Sequence, residues 1–378
     1  MSEIYPFLII AFLLSNYIFF LSGIIRGLNK LSGSFGSSLP EEFISVIIPF
    51  RNESENILIS VQSLTSQNYP PEKFEVIYVN DSSTDDSYQK LVTSDKPNNF
   101  RILSVENAEH GRAFKKRAVN YGIENSRGDI IVSTDADCIH QSNWLRKMVS
   151  DFDPKTAFIS GPVSFASNEK IFSKIQTLEF AGLVLSGAGL IGLGKATICN
   201  GANLAFRKKI FNELNGYSDQ LYLSSGEDEL LMQKISAETD YIIKFCWHRD
   251  AVVNTKPNRN ISDFLQQRNR WASKGLFYKN RLLIFRLILI YLFYLSIIVQ
   301  IFGSIFYSKI YFITLTFCLI LKFLVEYKII SKGVNFIFKP ELRRYFLIAE
   351  IFQMIYLPLA GIGGILGKFR WKDRKLNR

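Results

Sequence analysis

Two aspartates separated by a single residue follow an apolar stretch that is typical of a buried strand. Asp135 and Asp137 come directly after residues 130–134. Carboxylate oxygens are the ligands that Mg²⁺ and Mn²⁺ prefer, so this pair could hold a divalent cation that neutralises a leaving diphosphate. Acidic pairs in loops are more often solvated turns, and the metal-binding interpretation therefore depends on what else lies nearby.

A third aspartate closes another apolar stretch. Asp81 follows residues 74–79 and begins the run Asp-Ser-Ser-Thr-Asp-Asp. The carboxyl ends of parallel strands meet at one edge of a sheet, so we expect Asp81 to lie near Asp135 and Asp137. An Asx turn followed by a helix cap is the structural alternative for this run, and the two roles are compatible.

Two further groups of polar residues lie in the second half of the chain. Glu227 and Asp228 begin a segment with apolar residues at helical spacing, so Asp228 is expected at a helix N-terminus, where a cap contributes about 0.5–2 kcal/mol. Gln267, Arg270 and Trp271 lie just before an apolar stretch. Taken alone, Arg268, Arg270 and Lys274 could face lipid headgroups, with Trp271 anchoring the membrane interface.

Between residues 43 and 279 the sequence alternates between strand-like and helix-like patterns. Asn52 with Glu55 three positions on predicts a helix cap. Apolar strands are predicted over residues 43–49, 74–79, 101–105 and 129–134, and a further helix over residues 112–125. The alternation predicts an α/β domain with a mostly parallel sheet, covered by helices on both faces, that binds its ligand at the carboxyl ends of the strands.

The N-terminal segment is a predicted membrane anchor. Residues 4–25 are almost wholly apolar and, at a rise of about 1.5 Å per residue, long enough to cross a hydrocarbon core of about 30 Å. Glu3 precedes this segment, and Arg26 and Lys30 follow it, unlike the charge pattern of a cleaved signal peptide. We expect an uncleaved anchor over residues 1–30, a Ser/Gly-rich linker over residues 31–42, and a cytosolic domain after the positive charges.

The C-terminal region, residues 280–367, contains three apolar stretches, over residues 282–307, 310–325 and 345–366. The middle one is short for a membrane span, and the last contains Glu350 and Pro358, so one of the three is a candidate re-entrant or interfacial segment. A basic tail, residues 368–378, follows.

Residues 164–195 form a further apolar segment inside the predicted α/β domain. The segment contains too many glycines for an ordinary soluble helix. We interpret it as an amphipathic, interfacial segment at the membrane surface.

The composition supports a globular, membrane-associated protein. The 378 residues are 48% hydrophobic and 14% aromatic, which excludes a disordered or fibrous chain. The formal net charge is +11, and many of the excess lysines and arginines lie beside the C-terminal apolar stretches. Binding to a membrane surface therefore explains the positive charge better than binding to a nucleic acid. The four cysteines form no CxxC pair, which argues against a disulfide framework or a zinc site and favours reduced thiols.

The order of the polar motifs along the chain resembles that of the family 2 glycosyltransferases, which have the GT-A fold. The resemblance covers about residues 43–275. In chain order, the matching motifs are SVIIP at 45–49, RNE at 51–53, NDSS at 80–83, GD at 128–129, DAD at 135–137, CNGANLAFR at 199–207, GED at 226–228 and QRNRW at 267–271.

The resemblance implies a nucleotide-sugar site built from the first of these motifs. Pro49, Glu53 and Asp81 would surround the base, with the Asp81 carboxylate accepting a hydrogen bond from a ring N–H. Either Lys115 or Lys116 would approach the nucleotide, because the glycine that usually precedes this lysine is a phenylalanine here.

The same resemblance implies how the metal and the acid–base chemistry are supplied. Asp135 would approach the ribose and phosphates and, together with Asp137, bind Mg²⁺ or Mn²⁺. Asp228, with Glu227 beside it, would be the general base that takes the proton from an acceptor hydroxyl. A single base and an in-line displacement imply inversion at the anomeric carbon.

The remaining motifs imply an acceptor end of the site. In the QxxRW motif, Arg270 would pair with the diphosphate and Trp271 would line the acceptor site, roles that suit a bidentate cation and a flat apolar ring. Gln267, Asn200 and Gly201 would also contact the acceptor.

The expected function is transfer of a sugar from a nucleotide sugar, with UDP as the expected carrier and GDP as an alternative. The acceptor would be a lipid or a lipid-linked saccharide at the cytoplasmic face of the cell membrane. A processive polysaccharide synthase is the alternative within enzymes, although three uneven C-terminal segments make a poor secretion channel without oligomerisation. A catalytically inactive membrane-bound scaffold is the alternative from another class. Membrane lipids are expected partners, nucleic acids are not, and oligomerisation is left open.

Overall fold

The structure, a computed structural model, describes residues 4–31, 40–105, 114–166, 168–218, 226–275, 278, 280–366, 368–371 and 374–377. Parts of the predicted linker and of the basic tail, and the first two residues of the helix predicted over 112–125, lie outside these ranges. The backbone of the basic tail includes a short antiparallel pair, β10 (Lys368–Trp371) and β11 (Arg374–Asn377).

The central sheet consists of strands that are apolar along most of their length. In spatial order these strands are β3 (Phe100–Ser104), β2 (Phe74–Asn80), β1 (Ile44–Phe50), β4 (Ile130–Ser133), β7 (Leu204–Arg207), β5 (Thr156–Ser160) and β8 (Ile242–Phe245). Only β7 runs antiparallel to its neighbours. The prediction of a mostly parallel α/β sheet is therefore confirmed.

Helices cover both faces of this sheet. They are α2 (Ile57–Thr65), α3 (Ser87–Thr93), α4 (Phe114–Glu124), α5 (Trp144–Val149), α7 (Lys208–Glu213) and α8 (Glu227–Glu238). A further helix, α9 (Ile261–Lys274), lies later in the chain. Because side chains alternate along a strand, Ile47 of β1 packs towards α4, whereas its neighbour Val46 belongs to the cluster that contains Trp144 of α5. Two short parallel strands, β6 (Val163–Phe165) and β9 (Val253–Thr255), form a second small sheet.

The helix cap predicted at Asn52 is wrong. Helix α2 begins at Ile57, and Asn56 occupies the N-cap position without a capping side-chain hydrogen bond. Asn52 instead adopts a left-handed backbone conformation, with φ of 52°, which asparagine tolerates better than most residues. Its side chain accepts a hydrogen bond from the backbone N–H of Thr84, so it joins the loops after β1 and β2.

Within the described residues, five helices are long and apolar enough to cross a membrane. They are α1 (Ile4–Leu31), α6 (Ile171–Gly192), α10 (Arg281–Phe306), α11 (Lys309–Phe336) and α12 (Phe346–Leu366). The expectation that the middle C-terminal segment is too short is wrong, because α11 continues beyond residue 325 to a length of 28 residues. Large apolar side chains such as Phe12, Phe306 and Phe312 are exposed on these helices, as expected for surfaces that face lipid.

Helix α6 differs from the amphipathic surface segment expected over residues 164–195. It is a 22-residue helix with buried residues on most of its sides, and it packs against α1, α11, α12 and the small sheet. Its glycines allow this packing: a Cβ atom on Gly27 of α1 would overlap the backbone of Gly189, and one on Gly192 would overlap that of Gly27. The glycines that argued against an ordinary helix thus form a close contact between α6 and α1. Where α6 lies relative to a membrane stays a prediction.

A buried polar cluster joins the apolar helices α1, α10, α11 and α12. Lys322 is fully buried and forms ion pairs with Glu326, at 3.0 Å, and with Glu350. The Tyr17 hydroxyl donates to Glu326 and lies 3.1 Å from the Tyr294 hydroxyl. Ionisable side chains that are buried among apolar helices are stable only when they are paired. Because the partners come from α1, α10, α11 and α12, the cluster favours the packing of these four helices together.

Replacing Lys322 by methionine should destabilise the helix bundle. The change leaves two carboxylates buried without their cation, and breaking such a pair costs about 3–5 kcal/mol. The expected result is a lower thermal unfolding midpoint of the detergent-solubilised protein, by several degrees. Lys328→Met is the matched control, because Lys328 is exposed on the same helix and should change the midpoint little. Equal shifts in the two variants would contradict the structural role of the cluster.

Candidate active site

A cavity of about 530 Å³ opens at the carboxyl ends of β1, β2 and β4. Adjacent parallel strands place their carboxyl ends together, so residues distant in sequence meet there. The predicted site residues that line it are Pro49, Glu53, Asp81, Lys115, Asp135, Asp137, Asn200, Gly201, Asp228, Gln267, Arg270 and Trp271. Lys116 does not line the cavity, and the side chain of Glu227 lies outside the described part of the structure.

The loops after β1 and β2 are joined by Arg51. Its Nη1 donates to the backbone carbonyl of Asp81, at 2.8 Å, and to that of Ser82. Ser82, like Asn52 in the opposite loop, has a left-handed backbone, with φ of 53°. These contacts hold Asp81, which is only 3% exposed, at the edge of the cavity. On the β1 side, Glu53 is buried and accepts a hydrogen bond from Asn56 at 2.6 Å.

The two aspartates after β4 each have a specific partner. The Lys115 ammonium group lies 2.7 Å from Oδ1 of Asp135. The hydroxyl of Thr255, on β9, donates to Oδ2 of Asp137 at 3.0 Å. Lys116 is buried instead, because consecutive residues on a helix point about 100° apart. Lys115, and not Lys116, is therefore the lysine that faces the cavity.

Asp135 and Asp137 offer oxygen ligands of the kind that Mg²⁺ and Mn²⁺ prefer. In the part of the chain that the structure describes, no group of three His, Cys, Asp or Glu side chains is placed to hold a metal ion. Mg²⁺ is commonly held by one or two carboxylates, with water and substrate phosphates completing its coordination, so the pair fits such an ion. His248 does not line the cavity and accepts a hydrogen bond from the backbone N–H of Asp250.

A buried histidine supports the strand end that precedes Asp135. His140 Nε2 lies 2.8 Å from the Thr134 hydroxyl, which donates to the backbone carbonyl of Ala202, and Nδ1 lies 3.1 Å from the hydroxyl of Ser63. Burial lowers the pKa of His140 to about 3, so the ring is neutral at physiological pH. His140 therefore supports the site from within the core.

Asp228 does not cap its own helix. Gly226, with φ of 92°, occupies the N-cap position of α8. The Asp228 Oδ2 atom accepts a hydrogen bond from the backbone N–H of Gly201 at 2.7 Å. Its Oδ1 atom is buried, lies 3.8 Å from the Lys274 ammonium group and has no hydrogen-bond partner among the described residues. A buried carboxylate oxygen in this state can accept a proton from a bound hydroxyl.

The QxxRW motif lies on α9, and one face of that helix forms a wall of the cavity. Trp271 packs against Phe180 of α6, with ring centroids 5.7 Å apart. The interpretation that this segment faces lipid headgroups is wrong for Arg268, which is 4% exposed and paired with Glu179.

Some cavity residues were missed by the sequence analysis. Thr255 carries no local signal, and Lys274 suggested only a contact with lipid headgroups, because their partners lie far away along the chain. Tyr278 donates to Glu229 at 2.8 Å, and burial together with the Glu229 carboxylate raises the pKa of Tyr278. Glu229 directly follows Asp228, so its position in the acidic run at the start of α8 was the one signal available.

The cavity has a polar end and an apolar side. Helix α6 contributes Phe180, Leu183, Val184 and Gly187, which are spaced so that they lie on one face of the helix. The carboxylates of Asp81, Asp135 and Asp137 belong to the loops after β2 and β4. The site therefore combines a polar part with an apolar wall from a helix that is itself long enough to span a membrane.

Two family models match the chain. The model described as Glycosyl transferase family 2 matches residues 45–214. The model described as Glycosyl transferase family group 2 matches residues 130–327, just over half of the 378 residues. The two matched regions together include every predicted site residue.

Curated relatives are similar over part of the chain. The chain is 28% identical over 244 residues to poly-beta-1,6-N-acetyl-D-glucosamine synthase of Staphylococcus epidermidis. The matched region covers 62% of this chain and 55% of the synthase. It is 28% identical over 241 residues to glycosyltransferase AglE of Haloferax volcanii, and this matched region covers 63% of the chain and 74% of that protein. The match thus spans about half the length of the synthase.

A solved structure shares the fold. Mannosyltransferase PcManGT from Pyrobaculum calidifontis, solved in complex with GDP-Man and Mn²⁺, matches with a TM-score of 0.55 and 16% identity. The match covers 94% of this chain and 99% of that chain. Together with the family models, this likeness confirms the predicted GT-A fold.

His140 should make the stability of the protein depend on pH. The folded-state pKa is lowered to about 3 from an ordinary value of 6.5. As the pH falls below 6.5 the unfolded chain takes up this proton first, so stability that is fully present at neutral pH is lost between about pH 6.5 and pH 3. The loss is at most about 1.4 kcal/mol per pH unit. Thermal unfolding midpoints in detergent between pH 7 and pH 5 measure it.

The slope is assigned to His140 by comparison with two variants. His140→Gln should flatten the decline of the midpoint between pH 7 and pH 5. His248→Gln should retain most of it, because His248 is only half-buried. An unchanged slope in His140→Gln would show that another group is responsible.

Proposed function

The chain belongs to the family 2 glycosyltransferases, and from that premise we propose that it transfers a sugar from a UDP-sugar to an acceptor that carries an apolar group, with inversion of configuration. The observation that carries the proposal is the buried Oδ1 atom of Asp228, which has no hydrogen-bond partner among the described residues and belongs to the cavity that Asp135 and Asp137 also line. A carboxylate base and a pair of carboxylates that could bind a metal ion, in one cavity, suit an inverting, metal-dependent glycosyl transfer.

The polar end of the cavity would bind the donor. Asp81 and Glu53 present carboxylates beside Pro49, where a ring N–H of uracil could donate to Asp81. Asp135 and Asp137 would hold Mg²⁺ or Mn²⁺, which supplies positive charge against the diphosphate when it is bound. Lys115 already lies beside Asp135, so it can move to a phosphate oxygen with a small change of its side chain.

Asp228 would act at the reacting hydroxyl. Its Oδ1 atom takes the proton of the acceptor hydroxyl while the hydroxyl oxygen attacks the anomeric carbon of the sugar. The new carbon–oxygen bond forms as the bond to the diphosphate breaks, and the leaving nucleoside diphosphate carries the electron pair. The guanidinium group of Arg270, which lines the cavity, would pair with the diphosphate oxygens.

The acceptor would enter along the apolar wall formed by α6. Phe180, Leu183 and Val184 offer no hydrogen bonds to a sugar chain but suit a hydrocarbon group. Because α6 packs against α1, an acceptor in the membrane could reach this wall without leaving an apolar environment. A lipid or lipid-linked saccharide at the cytoplasmic face of the cell membrane fits both features, since nucleotide sugars are cytosolic.

A processive polysaccharide synthase is the second candidate, favoured by the similarity to the S. epidermidis synthase. The chain spans only 55% of that relative, so the similarity does not extend to its whole length. The size of the product made by the purified protein separates the two functions. A single added sugar supports the proposal, whereas a ladder of long polymers supports the synthase.

Asp228 and Asp137 should differ in their response to metal. Asp228→Asn should lower kcat by about 10²- to 10⁴-fold with an unchanged metal requirement, because it removes a proton acceptor. Asp137→Asn should raise the Mn²⁺ concentration for half-maximal activity by about ten-fold or more, because it removes a ligand oxygen. Mn²⁺ titration of donor consumption, after treatment with EDTA, measures both.

The control for these variants is Asp240→Asn, because Asp240 is exposed just beyond the end of α8. It should retain activity and metal requirement within two-fold of the unmodified protein. Undiminished sugar transfer by both Asp228→Asn and Asp137→Asn would refute the mechanism. Absence of transfer in the unmodified protein, with every UDP- and GDP-sugar and a membrane lipid extract, would favour the scaffold alternative.

A further inference from the structure

A buried ion pair links the QxxRW helix to α6. Arg268 of α9 and Glu179 of α6 are 89 positions apart, and their side chains are 4% and 1% exposed. The Nε atom of Arg268 donates to Oε1 of Glu179 at 3.2 Å, and Nη2 donates to Oε2. This two-point geometry fixes the orientation of the guanidinium plane as well as its position.

The oriented guanidinium group lies on the ring of Trp271. Its central carbon is 4.3 Å from the ring centroid of Trp271 and 4.4 Å from that of Phe264. Trp271 also contacts Phe180, the residue that follows Glu179 on α6. Two consecutive residues of α6 thus hold this tryptophan, one through the arginine and one directly.

Gln267 of the same motif is held by the same two helices. The Nη1 atom of Arg268 donates to Oε1 of Gln267 at 2.6 Å, and Nδ2 of Asn258 donates to the same atom at 3.0 Å. Asn258 in turn bonds Gln176 of α6: its backbone N–H and Nδ2 donate to the Gln176 Oε1 atom, each at 3.1 Å. Residues 176, 179 and 180 of α6 therefore position both Gln267 and Trp271.

Helix α12 completes the arrangement. The Tyr356 hydroxyl donates to Oε1 of Glu179, so this carboxylate receives hydrogen bonds from two different helices. Further along α12, Gly363 and Gly364 pack so closely on α9 that Cβ atoms there would overlap Asn269 and Ala272. Helix α12 also carries Glu350 of the Lys322 cluster.

A different set of contacts holds the donor end. Asp81 is fixed by Arg51, Asp135 by Lys115 and Asp137 by Thr255. The Arg268–Glu179 pair can therefore be disturbed without breaking the contacts that hold Asp81, Asp135 and Asp137.

We propose that Arg268 and Glu179 are positioning residues for the acceptor: acting through Trp271 and Gln267, they set the acceptor end of the cavity from the apolar helices α6 and α12. The proposal rests on the function proposed above, in which Trp271 lines the acceptor site. Neither residue touches the reacting atoms. A buried ion pair contributes little to stability compared with well-packed apolar residues, and its fixed geometry beside the site is what this role requires.

The test separates donor use from acceptor use. Glu179→Gln keeps the shape of the side chain and removes its charge. The donor is whichever UDP- or GDP-sugar the unmodified protein hydrolyses, and the acceptor is a membrane lipid extract. We expect transfer to the lipid fraction to fall at least ten-fold, while donor hydrolysis without acceptor and the Kd for UDP stay within two-fold. Glu42→Gln, which disrupts the Arg207–Glu42 ion pair away from the cavity, is the control and should leave all three unchanged.

A double-mutant comparison shows whether the pair acts through the tryptophan. Trp271→Phe should itself lower transfer, and adding Glu179→Gln to it should lower transfer less than two-fold further. A purely structural role would make the two losses multiply, which would overturn the proposal. If Glu179→Gln does not fold in detergent, Tyr356→Phe removes only one hydrogen bond to Glu179 and should lower transfer about three-fold with unchanged UDP binding.

Two further outcomes separate the positioning role from the proposed function. Equal losses of UDP binding, hydrolysis and transfer in Glu179→Gln would overturn the positioning role while leaving the proposed function intact. An unmodified protein that consumes no nucleotide sugar would refute the proposed function, and the positioning role with it.

Discussion

Mutual repulsion among carboxylates at one edge of the sheet is the constraint on which the rest of the site depends. Asp81, Asp135 and Asp137 follow strands at this edge, Asp228 lines the same cavity from α8, and like charges in one cavity disfavour one another unless they have partners. The partners of three of these carboxylates come from different elements: a lysine of α4 for Asp135, a hydroxyl of β9 for Asp137 and a backbone N–H at Gly201 for Asp228. The Arg51 guanidinium group instead holds the backbone of the Asp81 loop. The site can therefore form only when the whole α/β domain is assembled.

Helix α6 connects this site to the apolar helices. Its glycines pack against α1, its apolar face lines the cavity, and its polar residues Gln176 and Glu179 hold the QxxRW helix. These three roles explain a composition that resembles neither a soluble helix nor a simple membrane span. Because all three lie on one rigid helix, a displacement at the α1 contact would also move the wall against which Trp271 packs.

The charged residues that are buried among the apolar helices lie in hydrogen-bonded networks. Lys322 is paired with two glutamates, and its Nζ atom also donates to Oε1 of Gln353 at 3.1 Å. Glu350 and Gln353 of α12 belong to that cluster, whereas Tyr356 of the same helix bonds Glu179 beside the cavity. Helix α12 thus joins the polar cluster of the helix bundle to the ion pair beside Trp271. Such networks specify one arrangement of helices that apolar packing alone would leave open.

The sequence by itself determined the fold class and the edge of the sheet where the site lies, because apolar strands that end in acidic residues impose both through strand pairing. It could not decide between Lys115 and Lys116, since that choice depends on how α4 is rotated against the sheet. It missed Thr255 beside Asp137 and misread Arg268, whose partners lie 118 and 89 positions away. It could not explain the glycines of residues 164–195, because only tertiary packing showed that they meet another helix. Local pattern fixes what each element is, whereas the pairing of distant side chains exists only after the elements dock.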